Sequence, residues 1–522
     1  MRIMLTGNSP FCNTGYGIKT AELAYALKSI GHEVAFFAYY GHGGALFDWN
    51  GIPVYPNDVD DYGAGRVKDW YDHFKADIVI THVDIWVMRE IKAGLNWYPW
   101  TPIDHEPMPP LVRKTLLEVS SLRKPIAMSR YGQKEMVRIG VPAYYCPQMV
   151  NTSIFRPVPE QRESIRKNYG FEDKFVIGSV GTNVRERKNW TAMFLAMKEF
   201  VKKHKDAILY CHTNPVNKTG RNLMSLRESL MLQEHITVPN QIEQTLGIPP
   251  DKMALMYNML DVYLQPSKGE GFGIPIIEAQ ACGLPVIVSN NTAQPELVGG
   301  GWILKDMRPE WTMQNSWEGA ANPDEIVEYL EQAYQMKKDG SIAKLQQKAR
   351  TKAMKYDIIN VIQKHWIPTL EDIEKHLHDK KYGEGQLNPD DWRQVMIPET
   401  CTPAKVLDIG CGLKQVWKPH LKHLGDYVGI DIRGGNGYKA VQMDAHSLKY
   451  PDKSFGFAWS TELLEHVDNP QKVVNEAKRV ANHGAIIFCT PTAADFKGDP
   501  DHREVKDVKY AVSRDGHGVI VW

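Results

Sequence analysis

Short runs rich in β-branched and aromatic residues alternate along the chain with segments of helical periodicity, and this alternation limits the possible folds most strongly. Strands that alternate with helices form parallel sheets covered by helices, so the sequence predicts the α/β class. A helix is expected over Ile18–Ile30, because Leu23 and Leu27 fall on one face. The strands predicted in this first part are Arg2–Leu5, Glu33–Tyr39, Asp77–Thr81 and Pro125–Met128.

The same pattern begins twice more along the 522 residues, which favours three domains. Strands of the second repeat are predicted at Phe175–Val180, Ile208–Cys211, Val262–Gln265 and Pro285–Ser289. A proline-containing linker is expected near residues 151–163, and a charged helical stretch follows the second repeat. The predicted domains are 1–155, 156–377 and 404–522, with a polar linker at 378–403 before the last.

Charge and cysteine content exclude several classes of protein. Lysine plus arginine and aspartate plus glutamate number 62 each, so no overall field favours nucleic acid. The seven cysteines are scattered without a CxxC pair, which favours reduced thiols in a cytoplasmic setting over zinc sites or disulfides. Asp58-Val59-Asp60 has the spacing of a metal-binding motif but is predicted to be a turn, so no metal is expected. No apolar run approaches the length of a transmembrane helix, while peripheral membrane contact and the oligomeric state stay open.

The stretch from Glu270 to Glu278 places two carboxylates around a Gly-Phe-Gly turn, between a predicted strand and an apolar helical run. Glycines let backbone N–H groups approach a ligand, and a helix N-terminus favours anions. Carboxylates instead accept hydrogen bonds from hydroxyl groups. Amides for phosphate and carboxylates for hydroxyls together favour a nucleotide sugar as the ligand.

A cationic run from Arg185 to Asn189 follows the strand predicted at Phe175–Val180. Asn189 is expected to cap a helix that begins at Trp190. Cations at a helix N-terminus are unfavourable beside the helix dipole, and a bound anion would relieve that cost. Arg185 and Lys188 are therefore candidates to hold a diphosphate, and the alternative is a solvated surface run of charge.

Three other loops carry candidate residues. Gly15 and Gly17 form either a phosphate cradle or a tight turn needed for packing. Asp104 and His105 lie in a stiff, proline-flanked loop and either line a cleft or are structural. Glu296 either faces the same cleft or caps the next turn.

The third domain opens with a strand, the glycines Gly410 and Gly412, and a second strand ending in Asp431. A glycine turn with an acid about twenty residues on is typical of dinucleotide or adenosine binding, with the acid on ribose hydroxyls. Asp408 and Asp444 also lie near predicted strand ends. Asn469 is expected to cap a helix that has Pro470 at its first position.

Residues 1–375 resemble the retaining glycosyltransferases of family four, which have the GT-B fold of two facing Rossmann-like domains. The resemblance rests on five stretches in the right order: Gly15-Tyr16-Gly17, Asn151 to Pro157, Arg185 to Lys188, Glu270 to Glu278, and Pro295 to Val298. It implies that the second domain binds the donor and that a final helix, within Tyr356 to Leu377, crosses back to the first.

Site roles follow from this resemblance by position. It implies that Lys188 and Arg185 contact the diphosphate of a UDP-, GDP- or ADP-linked sugar, and that Glu278 accepts the ribose hydroxyls. Glu270 is implied to touch the sugar, beside the amides of Phe272 and Gly273. His105 or Asp104 stands where the family has a sugar-contacting polar residue, and Glu296 lies in the last matching stretch. The implied reaction is metal-independent transfer with retention to a glycan, lipid or other hydroxyl acceptor.

The last domain is similar to class I S-adenosylmethionine-dependent methyltransferases. The resemblance implies that Asp408, Gly410 and Gly412 bind the methionine end of S-adenosylmethionine. It also implies that Asp431 binds the ribose and Asp444 the adenine. An NAD site is disfavoured because the turn lacks a third glycine. After Thr490 little sequence remains for the last two strands, so a truncated or degenerate module is the alternative.

The overall expectation is an α/β chain with a GT-B glycosyltransferase and a smaller Rossmann-like methyltransferase domain that modifies the same glycan. A non-catalytic nucleotide-sugar or carbohydrate-binding scaffold is the alternative from another class. A glycogen-phosphorylase-like enzyme finds no support, because it needs a pyridoxal-phosphate lysine and a far longer chain.

Overall fold

The chain forms two compact units, Met1–Asp372 and Ile373–Trp522. The computed structural model describes residues 1–57, 62–88, 95–120, 123–239, 247–382, 405–411, 426–433, 440–461, 463–489, 505, 508–512 and 517–521. Asp58, Asp60 and Gly412 from the sequence predictions lie outside these described residues, as does most of the predicted linker at 378–403.

The first sheet of the first unit has eight strands in the order β3-β4-β2-β1-β5-β6-β7-β8, parallel except for the short β3. Its central strands are buried on both faces, as expected for parallel strands covered by helices. All four strands predicted here are present within a few residues of the expected bounds. The strands are β1 (Arg2–Asn8), β2 (Glu33–Tyr40), β3 (Phe47–Asp48), β4 (Pro53–Pro56), β5 (Ile78–His82), β6 (Trp97–Thr101), β7 (Ile126–Ala127) and β8 (Tyr144–Tyr145).

Four helices cover this sheet, and the first begins three residues earlier than predicted. The Thr14 side chain caps it by accepting a hydrogen bond from the Gly17 amide at 3.0 Å. The helices are α1 (Gly15–Ser29), α2 (Val67–Phe74), α3 (Pro110–Ser120) and α4 (Arg130–Arg138).

The second sheet has six parallel strands in the order β11-β10-β9-β12-β13-β14. The four strands predicted for it are all present. An antiparallel hairpin, β15 with β16, follows. The strands are β9 (Phe175–Val180), β10 (Ala207–His212), β11 (Ile236–Thr237), β12 (Val262–Gln265), β13 (Val286–Ser289), β14 (Gly301–Leu304), β15 (Met307–Trp311) and β16 (Trp317–Ala321).

Helices around the second sheet bury a core that includes Trp190, Phe194 and Phe200. The helices in this part of the chain are α5 (Pro159–Tyr169), α6 (Trp190–Lys203), α7 (Leu223–Ser229), α8 (Pro250–Met259), α9 (Ile274–Ala281), α10 (Gln294–Leu297), α11 (Pro323–Lys338) and α12 (Ala343–Ala353). The helices α13 (Ile358–Val361) and α14 (Ile367–Tyr382) follow them.

The chain returns from the second sheet to the first, as the family resemblance implied. A π-helical turn, Ile362–Trp366, interrupts the returning helices. The buried Trp366 ring meets Trp100 of β6 edge to face, with ring centroids 5.1 Å apart. The Val150 amide also donates a hydrogen bond to the Tyr356 carbonyl at 2.9 Å.

The second unit contains a seven-stranded sheet in the order β19-β18-β17-β20-β21-β23-β22, in which β23 runs antiparallel to both neighbours. The last two strands, which the sequence analysis did not expect, are therefore present after all. Asn469 caps the helix as predicted, accepting from the Lys472 amide at 3.1 Å. The elements are β17 (Lys405–Ile409), β18 (Asp426–Asp431), β19 (Val441–Gln442), β20 (Phe455–Thr461), α15 (Pro470–Val480), β21 (Ala481–Cys489), β22 (Ala511–Val512) and β23 (His517–Val521).

Candidate active site between the sheets of the first unit

Glu270 lies at the centre of a buried ionic network in the loop between β12 and α9. Its carboxylate contacts Lys188 directly and accepts a hydrogen bond from Arg187 Nη1 at 2.8 Å. Gln265, at the end of β12, donates from Nε2 at 3.0 Å. Burial alone would raise the pKa of Glu270, but Arg187 and Lys188 lower it to about 2. The structure therefore joins two residues that the sequence had placed separately, Lys188 and Glu270.

Lys188 is buried with a side-chain exposure of only 6%. Burial lowers its pKa to about 8, with Arg187 acting in the same direction and Glu270 against it. Lys188 thus remains protonated at neutral pH, beside an ionised carboxylate. Two charges held in place away from water form a preorganised electrostatic site.

The loop that presents Lys188 is strained. Arg185, Glu186 and Asn189 are non-glycine residues with φ of 50°, 58° and 57°. Such left-handed residues cost free energy and cluster at functional sites. The prediction that the Asn189 side chain caps α6 is wrong. Asn189 has a left-handed backbone conformation, and its side chain makes no capping hydrogen bond. Glu186 does this instead, accepting from the Thr191 amide at 2.8 Å.

Arg187, which was not among the predicted site residues, lies beside Glu270, whereas Arg185 was expected to contact the donor diphosphate. Its Nη1 also donates to the Gly269 carbonyl at 3.0 Å, and Glu270 is the main cause that raises its pKa. The Arg185 side chain is exposed. Arg187 belongs to the same predicted cationic run as Arg185 and Lys188, and that run was the signal available in the sequence.

The loop after β6 approaches the Glu270 loop from the first sheet. A Cβ added to Gly269 would lie 2.1 Å from the Asp104 carbonyl oxygen, and one on Gly271 would lie 2.0 Å from Pro102 Cβ. These two glycines therefore permit close approach of the two domains as well as of any ligand.

His105 connects this loop to the hairpin. Its Nδ1 lies 2.7 Å from Asp104 Oδ1, and its Nε2 lies 3.3 Å from Glu318 Oε1 of β16. Burial would lower the pKa of His105, but the hydrogen bonds to both carboxylates raise it to about 9. His105 is only 2% exposed whereas the Asp104 side chain is 27% exposed, so Asp104 is the more accessible of the two.

Asp84 and Tyr16 extend the cluster on the first-sheet side, and neither was among the predicted site residues. Asp84 follows β5, which pairs in parallel with β6, so Asp84 and Asp104 leave the same edge of the sheet. Burial is the main cause that raises the pKa of Asp84 to about 6, and repulsion from the Asp104 carboxylate is the second. Burial and then Asp84 raise the pKa of Tyr16. This edge carries acidic and hydroxyl groups that suit hydrogen bonding to a polyol.

Glu278 lies on α9 and meets a lysine of the opposite domain. Lys19 of α1, 1% exposed, is 3.6 Å from Glu278 Oε1 and 3.0 Å from Glu22 Oε2. Tyr257 donates to Glu278 Oε2 at 3.2 Å. Burial raises the pKa of Glu278 and Lys19 opposes that rise.

Glu296 caps a helix across the domain interface. Its two carboxylate oxygens accept hydrogen bonds from the Arg130 and Tyr131 amides at 3.0 and 2.9 Å, at the start of α4. Of the two alternatives in the sequence analysis, capping is what the structure displays, although the helix belongs to the other domain rather than to the next turn.

The remaining predicted residues of this unit divide by accessibility. Gly15 is exposed, with no atom within 4 Å of an added Cβ, whereas Gly17 is buried and a Cβ added there would lie 2.5 Å from the Cys12 carbonyl oxygen. Phe272 packs edge to face on Tyr356 with centroids 5.6 Å apart. Gly273, with φ of 112°, precedes the first turn of α9.

In the second unit the predicted carboxylates have nearby partners. Asp408 accepts from the Tyr427 hydroxyl at 2.6 Å, and burial raises its pKa to about 6. Asp431 pairs with Arg433 at 3.1 Å, and Asp444 Oδ1 lies 2.8 Å from His446 Nδ1. Gly410 follows β17 with φ of 72°.

Comparison with family models gives matches in both units. Residues 161–353 match the model described as glycosyl transferases group 1, and residues 407–489 match a model described as methyltransferase domain. The chain carries one domain of each kind.

Two of the curated relatives match part of the chain. The GDP-mannose-dependent alpha-(1-6)-phosphatidylinositol monomannoside mannosyltransferase of Mycolicibacterium smegmatis is 29% identical over 165 residues, 30% of this chain and 41% of that protein. The O-antigen chain mannosyltransferase B of Escherichia coli is 44% identical over 62 residues, 12% of this chain and 16% of that protein. The chain thus spans less than half the length of these relatives.

Solved structures identify the fold of the glycosyl transferases group 1 unit as GT-B. Sucrose-phosphate synthase from Thermosynechococcus elongatus superimposes with a TM-score of 0.58 at 14% identity, covering 72% of this chain and 99% of that one. Anabaena HepE in complex with UDP-glucose superimposes with a TM-score of 0.53 at 16% identity, covering 71% of this chain and 100% of that one. Among the described residues, no helix has the length and apolar character needed to cross a bilayer.

Proposed function

We propose that the first unit is a retaining glycosyltransferase that moves a sugar from a nucleotide-diphosphate sugar to a hydroxyl acceptor. The observation that carries the proposal is the buried contact of Glu270 with Lys188 and Arg187, facing the Asp104 loop across the domain interface. A carboxylate for sugar hydroxyls beside two cations for a diphosphate matches both ends of such a donor.

In this proposal the cations act on the leaving group. Lys188 and Arg187 stabilise the negative charge that develops on the departing diphosphate, and their fixed position removes the cost of reorganising solvent. Arg187 takes the part that the sequence resemblance assigned to Arg185. The α9 N-terminus beyond Gly273 adds backbone amides and a favourable dipole.

Hydroxyl recognition falls to carboxylates of both domains. Glu278 accepts the ribose hydroxyls, Glu270 binds the transferred sugar, and Asp104 binds the sugar from the opposite wall. Attack by the acceptor hydroxyl on the same face gives retention, with its proton passing to a donor phosphate oxygen. The step needs no carboxylate base and no metal ion.

GDP-mannose is the donor to test first, because the relatives named above are mannosyltransferases and one is named as GDP-mannose-dependent. UDP- and ADP-linked sugars remain in the panel, since HepE was solved with UDP-glucose. The proposed acceptor is a hydroxyl of a glycan or lipid, and the proposed location is cytoplasmic.

Release of nucleoside diphosphate from a panel of nucleotide sugars tests the proposal. We expect slow hydrolysis of one donor by the intact protein, and a loss of that hydrolysis in Lys188→Ala. A protein that binds a nucleotide sugar but releases no diphosphate with any acceptor tried would instead be a binding scaffold.

For the second unit we propose an S-adenosylmethionine-dependent methyltransferase that acts on the same glycan. The buried Asp431 at the end of β18 favours it, since an acid at that position suits ribose hydroxyls. A degenerate module is the alternative. Titration calorimetry of the intact protein with S-adenosylmethionine separates the two, because a degenerate module gives no binding heat.

A further inference from the structure

An open pocket of about 330 Å³ lies beside α4. Arg130, Tyr144 and Tyr145 form its wall in the first domain. Lys364, His365 and Asp372, from the returning segment, form the other wall. Its volume is at the lower end for small-molecule sites, which are about 300–1,000 Å³.

Three basic side chains converge on this pocket. The Arg130 guanidinium stacks on the Tyr145 ring with its carbon 3.6 Å from the centroid, and His365 meets the same ring edge to face at 5.0 Å. Burial, followed by Arg130 and Lys364, lowers the pKa of His365. A bound anion would relieve the mutual repulsion of these groups and favour the protonated imidazole.

Asp372 is the single acid that lines the pocket, and its carboxylate contacts a tyrosine and a lysine. Asp372 accepts a hydrogen bond from the Tyr144 hydroxyl at 2.6 Å, and Lys124 lies 3.5 Å from the same Oδ2. Those contacts balance much of its charge at one end of the pocket. Carboxylate and hydroxyl oxygens such as those of Asp372 and Tyr144 accept hydrogen bonds of the kind that sugar hydroxyl groups donate.

Backbone geometry supplies an independent observation. Lys364 and His365 belong to the π-helical turn Ile362–Trp366, which aims them differently from a regular helix. Such turns are rare and occur frequently at functional sites. The turn contains both Trp366, which is buried against Trp100, and Lys364, which is exposed. It therefore presents the basic side chains at the surface while Trp366 stays packed in the core.

We infer that this pocket binds a small phosphorylated molecule with hydroxyl groups, of the size of a hexose monophosphate. Arg130, Lys364 and His365 hold the phosphate, and Asp372 with the Tyr144 hydroxyl receives the polyol. The same chemistry is offered by a free sugar phosphate and by the headgroup of a phosphorylated inositol lipid. Since the two walls come from the first domain and from the segment that returns to it, the ligand fixes that junction.

Titration calorimetry of the full chain tests the inference with glucose 6-phosphate, inorganic phosphate and glucose as probes. We expect affinity in the order glucose 6-phosphate, then phosphate, with no heat from glucose. Lys364→Gln weakens glucose 6-phosphate binding about tenfold, whereas Lys344→Gln, an exposed lysine of α12, leaves it unchanged.

A second variant and a second probe make the result decisive. Lys188→Ala retains glucose 6-phosphate binding if the ligand sits in this pocket, and loses it if the phosphate binds the donor site, which would overturn the inference. Phosphatidylcholine vesicles with and without phosphatidylinositol 4-phosphate test the lipid source. Binding of glucose 6-phosphate or of phosphatidylinositol 4-phosphate vesicles that depends on Lys364 supports the inference. Equal binding by the wild type and Lys364→Gln, or no binding of either ligand, overturns it.

Discussion

The candidate site of the first unit and the carboxylates of the second unit differ in where their partners come from. Lys188 and Arg187 are 82 and 83 residues from Glu270 in sequence, so the fold itself brings them together. Asp431 and Asp444 instead contact Arg433 and His446, each two residues away. Long-range contacts hold charges in a fixed geometry, whereas a neighbouring side chain can move with its own loop. The first site is therefore preorganised by long-range contacts, whereas the contacts of Asp431 with Arg433 and of Asp444 with His446 are local to their own loops.

The largest effect is expected from Lys188→Ala. Removing a preorganised charge-stabilising group should reduce donor turnover by roughly 100-fold or more. Steady-state release of nucleoside diphosphate is the measurement, with Lys198→Ala, an exposed lysine of α6, as the matched control. Turnover within a few-fold of wild type would show that Lys188 does not stabilise the departing diphosphate. It would also weaken the contrast between a preorganised first site and the local contacts of the second unit.

The two glutamates of the first site should separate by function. Glu270→Gln should slow sugar transfer by roughly tenfold or more with little change in nucleoside diphosphate affinity, while Glu278→Gln should weaken that affinity by about tenfold. Single-turnover rates and calorimetric Kd values measured on both variants check this. Identical profiles for the two would show that they act as one unit.

The pH dependence of stability tests the His105 bridge between the two domains. Its folded pKa of about 9 exceeds the ordinary 6.5, so its stabilisation is complete below about pH 6.5 and is lost as pH rises through about 9. His105→Gln should cost about 1.5 kcal/mol at pH 6 and much less at pH 9.5, measured by denaturant unfolding. A cost that does not change with pH would mean that folding does not raise the pKa of His105.

The smallest effect is expected in the second unit. Arg433 is 68% exposed, so Arg433→Gln should change S-adenosylmethionine affinity by less than about threefold. Asp431→Asn, at a 6% exposed carboxylate, should weaken it more. Calorimetry on the pair measures the difference. A large loss in Arg433→Gln would place Arg433 in the binding site and make the two units alike.

The sequence predicted the elements whose patterns are local. The buried strands of both first-unit sheets and the Asn469 cap follow from short runs of residues. Strand β6 escaped notice because Pro99 interrupts its aromatic run, which ordinarily argues against a central strand. Strands β22 and β23 escaped because they lie far along the chain from any motif.

Site residues followed the same division. Glu270 and Lys188 were predicted from their motifs, but their contact depends on a domain fold that the sequence spacing does not encode. The contact of Arg187 with Glu270 was not predicted, because the left-handed backbone of the Arg185–Asn189 loop is not evident from the sequence alone. The cap that Glu296 provides to α4 joins residues 166 apart in sequence, and no local pattern announces it.

The central claim is that the first unit binds a nucleotide-diphosphate sugar through Lys188 and Glu270. Thermal unfolding of wild type and Lys188→Ala with a panel of nucleotide sugars tests it most directly, because a ligand that binds the folded state raises its apparent stability. We predict that one donor, with GDP-mannose tested first, raises the Tm of the wild type and that the shift largely disappears in Lys188→Ala. The absence of a shift with every nucleotide sugar, or an equal shift in both proteins, would contradict the account.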